Sequence, residues 1–172
     1  MKTLLLASAA ALVAVSGASA QEAGQFYAGA GYTYVDFDDV EFNTLNLRGG
    51  YDFNEFVALE GEVLVGLGDE DVDLGGSTAD VSLDYALGAF VKGQYPVSEQ
   101  VSLFARAGYA YMEAEASASG VTLSDDTDGF AYGAGAEWAF AGPNAVRVEY
   151  TRYEFEDDAE ADSFGATYIR RF

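Results

Sequence analysis

Ser163-Phe164-Gly165-Ala166-Thr167-Tyr168-Ile169-Arg170-Arg171-Phe172 decides how the rest of the chain is read. Phe164, Ala166, Tyr168, Arg170 and Phe172 form one alternating set, and Ser163, Gly165, Thr167, Ile169 and Arg171 form the other. Aromatics dominate one face and small or polar residues the other, the period of a β-strand with one greasy side. Chain ends ordinarily fray and favour polar residues, so a strand running out on Phe needs something to cover that side. Such a strand is expected to close a β-barrel with its greasy side against lipid rather than against a core.

Composition narrows the function classes. The 172 residues hold 29 Asp and Glu against 8 Lys and Arg, a formal net charge of −21, with no Cys and no His. So acidic a chain lacks the basic surface that nucleic acid requires, and no nucleic-acid partner is expected. Without His, a Ser nucleophile has no ordinary base, and acyl transfer is not expected. Tyr and Phe at 12 each, Gly at 20 and Pro at 2 suit an all-β protein.

Residues 1–20 read as a cleaved signal peptide. Lys2 gives the positive start, Leu4 to Val15 the apolar run and Ala18-Ser19-Ala20 the cleavage site before Gln21. The run is short for a transmembrane helix; a retained anchor is the alternative. The mature domain is then expected over 21–172, outside the cytoplasm and stable without disulfides.

Working back from Ser163, seven more stretches alternate with period two: 25–35, 42–53, 56–66, 81–95, 101–114, 129–140 and 145–154. Connections alternate in character. Asn54-Glu55, Pro96 to Gln100 and Ala141 to Asn144 are short, whereas Asp36 to Glu41, Leu67 to Asp80, Glu115 to Asp128 and Phe155 to Asp162 are longer and acidic. An even-stranded meander with short turns at one end and long loops at the other predicts an eight-stranded antiparallel up-and-down transmembrane barrel.

A soluble eight-stranded barrel alternates too, with the greasy face inward. Charge placement separates the two. Arg48, Lys92, Arg106, Arg147 and Arg171 fall on the face opposite the aromatics, together with Asp52, Glu60, Glu62, Asp84, Glu137 and Glu149. A barrel this narrow is filled by side chains, and small residues beside paired charges would fill it. Phe26, Tyr34, Tyr51, Phe53, Tyr95, Tyr111, Phe130 and Phe140 near the stretch ends match aromatic girdles at two membrane interfaces. The membrane barrel is therefore the expected fold.

The chain resembles small bacterial outer-membrane eight-stranded barrel proteins of the OmpA/OmpX-like sort. The resemblance runs over Gln25 to Phe172 and rests on F-Y-A-G-A-G-Y (Phe26–Tyr32), N-L-R-G-G-Y-D-F-N (Asn46–Asn54), V-A-L-E-G-E (Val57–Glu62) and Y-I-R-R-F (Tyr168–Phe172). It implies an integral outer-membrane location, contact with lipid and lipopolysaccharide, recognition by the barrel-assembly machinery and a monomeric state. Arg170 stands where the family usually has an aromatic. No peptidoglycan-tethering role is implied.

Candidate sites are few. Glu60 and Glu62 project to one side, but among inward arginines they read as ion-paired packing rather than as a catalytic pair. The expected lumen network is Arg48, Glu60, Glu62, Asp84, Lys92, Arg106, Glu137, Arg147, Glu149 and Arg171. No cofactor is expected. Asp69, Asp71, Asp73, Asp157 and Asp158 are weak candidates for divalent-cation contact; Asp69 to Asp73 lacks the ligand spacing and Gly of a calcium loop. The expected role is structural, with a narrow porin-like channel or a surface adhesion protein as alternatives.

Overall fold

A computed structural model of the chain describes residues 24–37, 40–73, 78–118, 121–155 and 159–172, and all regular structure in them is β-strand. The strands are β1 (Gln25–Phe37), β2 (Val40–Asp52), β3 (Val57–Gly66), β4 (Asp69–Asp73), β5 (Thr78–Pro96), β6 (Val101–Ala118), β7 (Val121–Ala141), β8 (Asn144–Phe155) and β9 (Glu160–Arg171). β3 and β4 are successive parts of one stave, separated by Leu67-Gly68, and both pair with β5. The sheet order β3-β2-β1-β9-β8-β7-β6-β5-β4, with β3 also joined to β5, closes it. The result is an eight-stranded, all-antiparallel barrel. β9 is its seam: Tyr168 stands opposite Ala30 of β1 on one side and Val146 of β8 on the other.

Side-chain caps tighten the short turns. The Asn54 side-chain carbonyl accepts from the backbone N–H groups of Phe56 (2.8 Å) and Val57 (2.9 Å). Ser98 Oγ does the same for Val101 at 3.0 Å. In the third turn Gly142 takes φ 54°, a conformation costly for any residue with a Cβ.

The two faces of the wall differ as alternation requires. Leu47, Leu59, Val91, Leu103 and Val148 point outward and are exposed, whereas their neighbours Arg48, Glu60, Lys92, Phe104 and Arg147 are buried in the lumen. Outward aromatics gather at two levels. Phe26, Phe53, Tyr95, Trp138, Phe140 and Tyr168 ring the short-turn end; Tyr109, Phe130, Tyr132 and Phe164 ring the other.

Three features depart from the pattern read in the sequence. First, the β5–β6 register shifts between Leu83 and Tyr85. The irregularity inverts the alternation above it, so Asp84, expected in the lumen, is exposed, and Leu83, expected outside, is buried. Second, most of the expected loops at 67–80 and 115–128 are strand, in β4, β5, β6 and β7. Third, the lumen is stratified. Toward the long end it holds an apolar cluster that includes Val35, Phe42, Leu64, Leu83, Phe90, Met112, Tyr153 and Phe155.

Candidate functional site

Alternation along seven staves delivers ten charged side chains to the lumen: Arg48, Lys92, Arg106, Arg147 and Arg171 against Asp52, Glu60, Glu62, Glu137 and Glu149. The count is five to five. These ten groups therefore contribute nothing to the formal net charge of −21.

Glu60 is the hub. It is 1% exposed. Its Oε1 accepts from Arg48 (3.2 Å) and Arg106 (3.1 Å), and its Oε2 from Arg147 (2.5 Å) and the Tyr27 hydroxyl (2.7 Å). From there the network runs both ways. Toward the long end, Arg48 and Arg106 also bind Glu62 and Glu149, and Arg106 reaches Thr151 Oγ1 at 2.8 Å. Toward the short-turn end, Arg147 donates to Glu137 at 3.0 Å, Glu137 accepts from Arg171 at 2.5 Å, and Arg171 lies 3.4 Å from Asp52. Two of these pairs, Arg48–Glu62 and Arg147–Glu137, are direct cross-strand neighbours.

Inward aromatics hold the guanidinium groups in place. Arg106 lies 4.2 Å from the Phe90 ring centroid and Arg147 4.8 Å from that of Phe104. Each ring occupies the space above an inward glycine: Tyr27 at Gly50, Phe90 at Gly88 and Phe104 at Gly135. The glycines in these strands are thus places where a ring packs flat on the backbone.

Lys92 is the least satisfied member. It stands directly opposite Arg106 across the strand pair. Its Nζ has no hydrogen-bond partner among the described residues, lying 3.9 Å from Asp52 and 4.6 Å from the Tyr27 ring centroid. Like charges in register repel, so Lys92→Met is expected to change unfolding stability by less than about 1 kcal/mol, or to raise it. Urea titration of the detergent-solubilised barrel measures this.

The arrangement packs charged side chains against one another. Among the described residues every lumen carboxylate is engaged by cations. The other candidates lie elsewhere. Asp69, Asp71 and Asp73 are residues of β4, paired with Ser82, Asp80 and Thr78. Asp157 and Asp158 fall outside the described residues. Among the described residues no group of three or more carboxylates converges as metal ligands would.

One set of contacts was not anticipated from the sequence. On the outward face, tyrosine hydroxyls at the upper aromatic level donate to carboxylates on the next strand: Tyr85 to Glu113 (2.8 Å), Tyr132 to Glu154 (2.8 Å), Tyr150 to Asp162 (2.6 Å), and Tyr109 to Asp128. These pairs set a belt of carboxylates just beyond the aromatics. The signal was an outward Tyr directly opposite an acid on the adjoining stave, as at Tyr85, or two residues below one, as at Tyr109, Tyr132 and Tyr150.

The fold has known counterparts. Ail, the attachment invasion locus protein of Yersinia pestis, solved in complex with the heparin analogue sucrose octasulfate, superposes with a TM-score of 0.65 at 22% identity, covering 88% of this chain and 100% of that one. OprG of Pseudomonas aeruginosa gives 0.64 at 13% identity, covering 89% and 98%. Neisserial surface protein A gives 0.59 at 14%, covering 91% and 100%. No curated protein sequence matches the chain. The model of the outer membrane protein beta-barrel domain matches residues 5–172, and with its girdled exterior and closed wall the chain belongs to that family of integral outer-membrane barrels.

Proposed function

We propose that the chain, cleaved after Ala20, is a non-catalytic structural barrel of the outer membrane with a sealed lumen. The observation that carries this reading is the two-layer filling of the barrel. An ion would have to displace the balanced charge network and then cross the apolar cluster around Leu64, Phe90, Met112 and Tyr153. Apolar constrictions exclude water, and eight staves leave no room beside the side chains. This argues against the narrow porin-like channel. In planar bilayers the purified barrel is expected to give no stepwise conductance; reproducible steps would establish the channel instead.

The proposed partners are outer-membrane lipid and lipopolysaccharide, with the assembly machinery during biogenesis, and the proposed state is a monomer. The belt formed by Glu113, Asp128, Glu154 and Asp162 stands at the upper aromatic level, where lipopolysaccharide phosphates would meet the wall. Carboxylate beside phosphate is unfavourable without a counter-ion, and magnesium or calcium between them resolves the repulsion. Purification in EDTA is expected to strip most co-purifying lipopolysaccharide; an unchanged lipopolysaccharide content would remove the cation bridge. The sulfated sugar bound by Ail is not a ligand expected here. Arg152 is held by Glu160 and Asp162 in an acidic surround, which repels a polyanion. A surface recognition role is favoured only for a basic partner.

A further inference from the structure

Among the described residues the lower outer wall carries one Lys or Arg side chain. Of the eight in the chain, Lys2 lies within 1–20, five fill the lumen, and Arg152 is held by Glu160 and Asp162. Arg170 remains. It is exposed on the lipid-facing side of β9, one outward step beyond Tyr168 of the short-turn aromatic ring. It makes no ion pair among the described residues, and its guanidinium carbon lies 5.9 Å from the Phe172 ring centroid. An outward arginine is tolerated near an interface, where its head reaches the lipid headgroups.

Its neighbours complete a donor set. Directly across the strand pair stands Asn144 of β8. The Asn144 side-chain oxygen accepts from the Tyr168 hydroxyl, and its amide donates to the Ala141 carbonyl at 2.7 Å. These bonds fix the amide and leave its second N–H without a partner among the described residues. Cross-strand neighbours stand about 5 Å apart at Cβ, so one acceptor can take the Arg170 fork and the Asn144 N–H together. The adjoining turn, Ala141-Gly142-Pro143-Asn144, holds no acid. On its other side Arg170 faces Ala28 of β1, and the same row continues through Gly49 and Gly61. A Cβ at Gly49 would meet nothing nearer than 3.9 Å, and at Gly61 nothing nearer than 4.0 Å. Unlike the inward glycines, these two lie under no ring. The wall beside Arg170 is a shallow trough open to lipid.

We propose that Arg170 and Asn144 bind the phosphate of an anionic phospholipid in the leaflet at the short-turn end, with an acyl chain laid over Ala28, Gly49 and Gly61. Charge selects this occupant. Phosphate is the anion found at headgroup height, and a guanidinium grips it with two parallel N–H bonds. A zwitterionic lipid brings its own ammonium, which competes with Arg170 for the phosphate. At the upper level the carboxylates of Glu113, Asp128, Glu154 and Asp162 repel the same headgroup. The site rests on the lipid partnership proposed above, but it uses the lower wall and no bridging cation.

The purified barrel in detergent would be titrated with dioleoylphosphatidylglycerol, and bound lipid counted by native mass spectrometry. The parent is expected to retain one lipid, and Arg170→Gln to bind it at least about tenfold more weakly. Arg170→Lys, a charge without the fork, is expected to fall between them. Asn144→Asp keeps an acceptor for Tyr168 but sets a carboxylate opposite Arg170, and is expected to lose the lipid as Arg170→Gln does. Gly49→Leu fills the trough and is expected to weaken retention with the headgroup contacts intact. Heat-modifiable migration is expected to persist in all four variants. Dioleoylphosphatidylcholine, lipopolysaccharide and glycerophosphoglycerol, the headgroup without chains, are expected not to displace the lipid. Equal retention by Arg170→Gln, or displacement by any of these three, would overturn the site. Conductance and the effect of EDTA do not enter this measurement, so its failure leaves the sealed barrel and the cation bridge standing.

Discussion

Glu60→Ala is expected to lower the unfolding free energy of the barrel by about 3–5 kcal/mol, the range for breaking a buried ion pair from one side. Among the described residues no other lumen carboxylate accepts from three arginines, Arg48, Arg106 and Arg147, and a tyrosine hydroxyl. Arg48 and Arg106 keep Glu62 and Glu149 after the change, but Arg147, 0% exposed, keeps only Glu137. The lumen balance moves from five against five to an excess of one positive charge. That excess identifies the control. Adding Lys92→Met restores the balance without losing a hydrogen bond of Lys92 Nζ, so the double variant is expected to recover part of the loss. Glu60→Gln, with one carbonyl oxygen and an amide that cannot accept from arginine, should fall between Ala and the parent. The temperature at which the unboiled band converts on a detergent gel orders the four proteins. A Glu60→Ala conversion within error of the parent would mean that the network contributes nothing to holding the barrel closed.

Most of the wall was legible because a barrel stave has one strong sequence signature, alternation, and bilayer and lumen differ sharply. The seam at Ser163–Phe172, the short turns at Asn54, Ser98 and Gly142, and the inward set around Arg48, Glu60 and Arg147 follow from it directly. Asp84 was misplaced because S-L-D-Y-A alternates equally well in either phase, with Leu83 and Tyr85 both apolar and no Gly or Pro to mark the irregularity. The upper strands were misjudged because D-E-D-V-D and S-D-D-T-D have poor intrinsic β-propensity. Pairing with long neighbours overrides that preference, and pairing is not visible in one segment alone. The apolar upper lumen was hidden by averaging. Leu64 follows Glu60 and Glu62 on the same face of β3, Phe90 precedes Lys92 on β5, and Met112 follows Arg106 on β6. The inward face thus changes character along each strand, and at the same height on neighbouring strands.

That change of character makes Phe90→Ala the second large effect. Phe90 is 1% exposed and stands where the two layers meet, packed in the apolar cluster on one side and under the Arg106 guanidinium on the other. Removing a buried phenyl ring costs about 3–5 kcal/mol through lost transfer energy and the cavity left behind. The site cannot collapse easily. Phe90 pairs with Glu60 on β3 and Gly108 on β6, and hydrogen-bonded walls fix the distances between them. A small void bounded by Glu62, Leu64, Gly88, Ala110 and Tyr153 already touches the ring, so truncation enlarges it rather than filling it. The neighbouring Val91 is 59% exposed and faces the opposite way, toward lipid, which is as apolar as the side chain it surrounds. Val91→Ala is therefore expected to cost less than about 1 kcal/mol. Unfolding of the two variants in the same detergent compares one step of the strand with the next. If they lose stability equally, Phe90 is not core, and the apolar half of the seal reduces to a lining that water can wet.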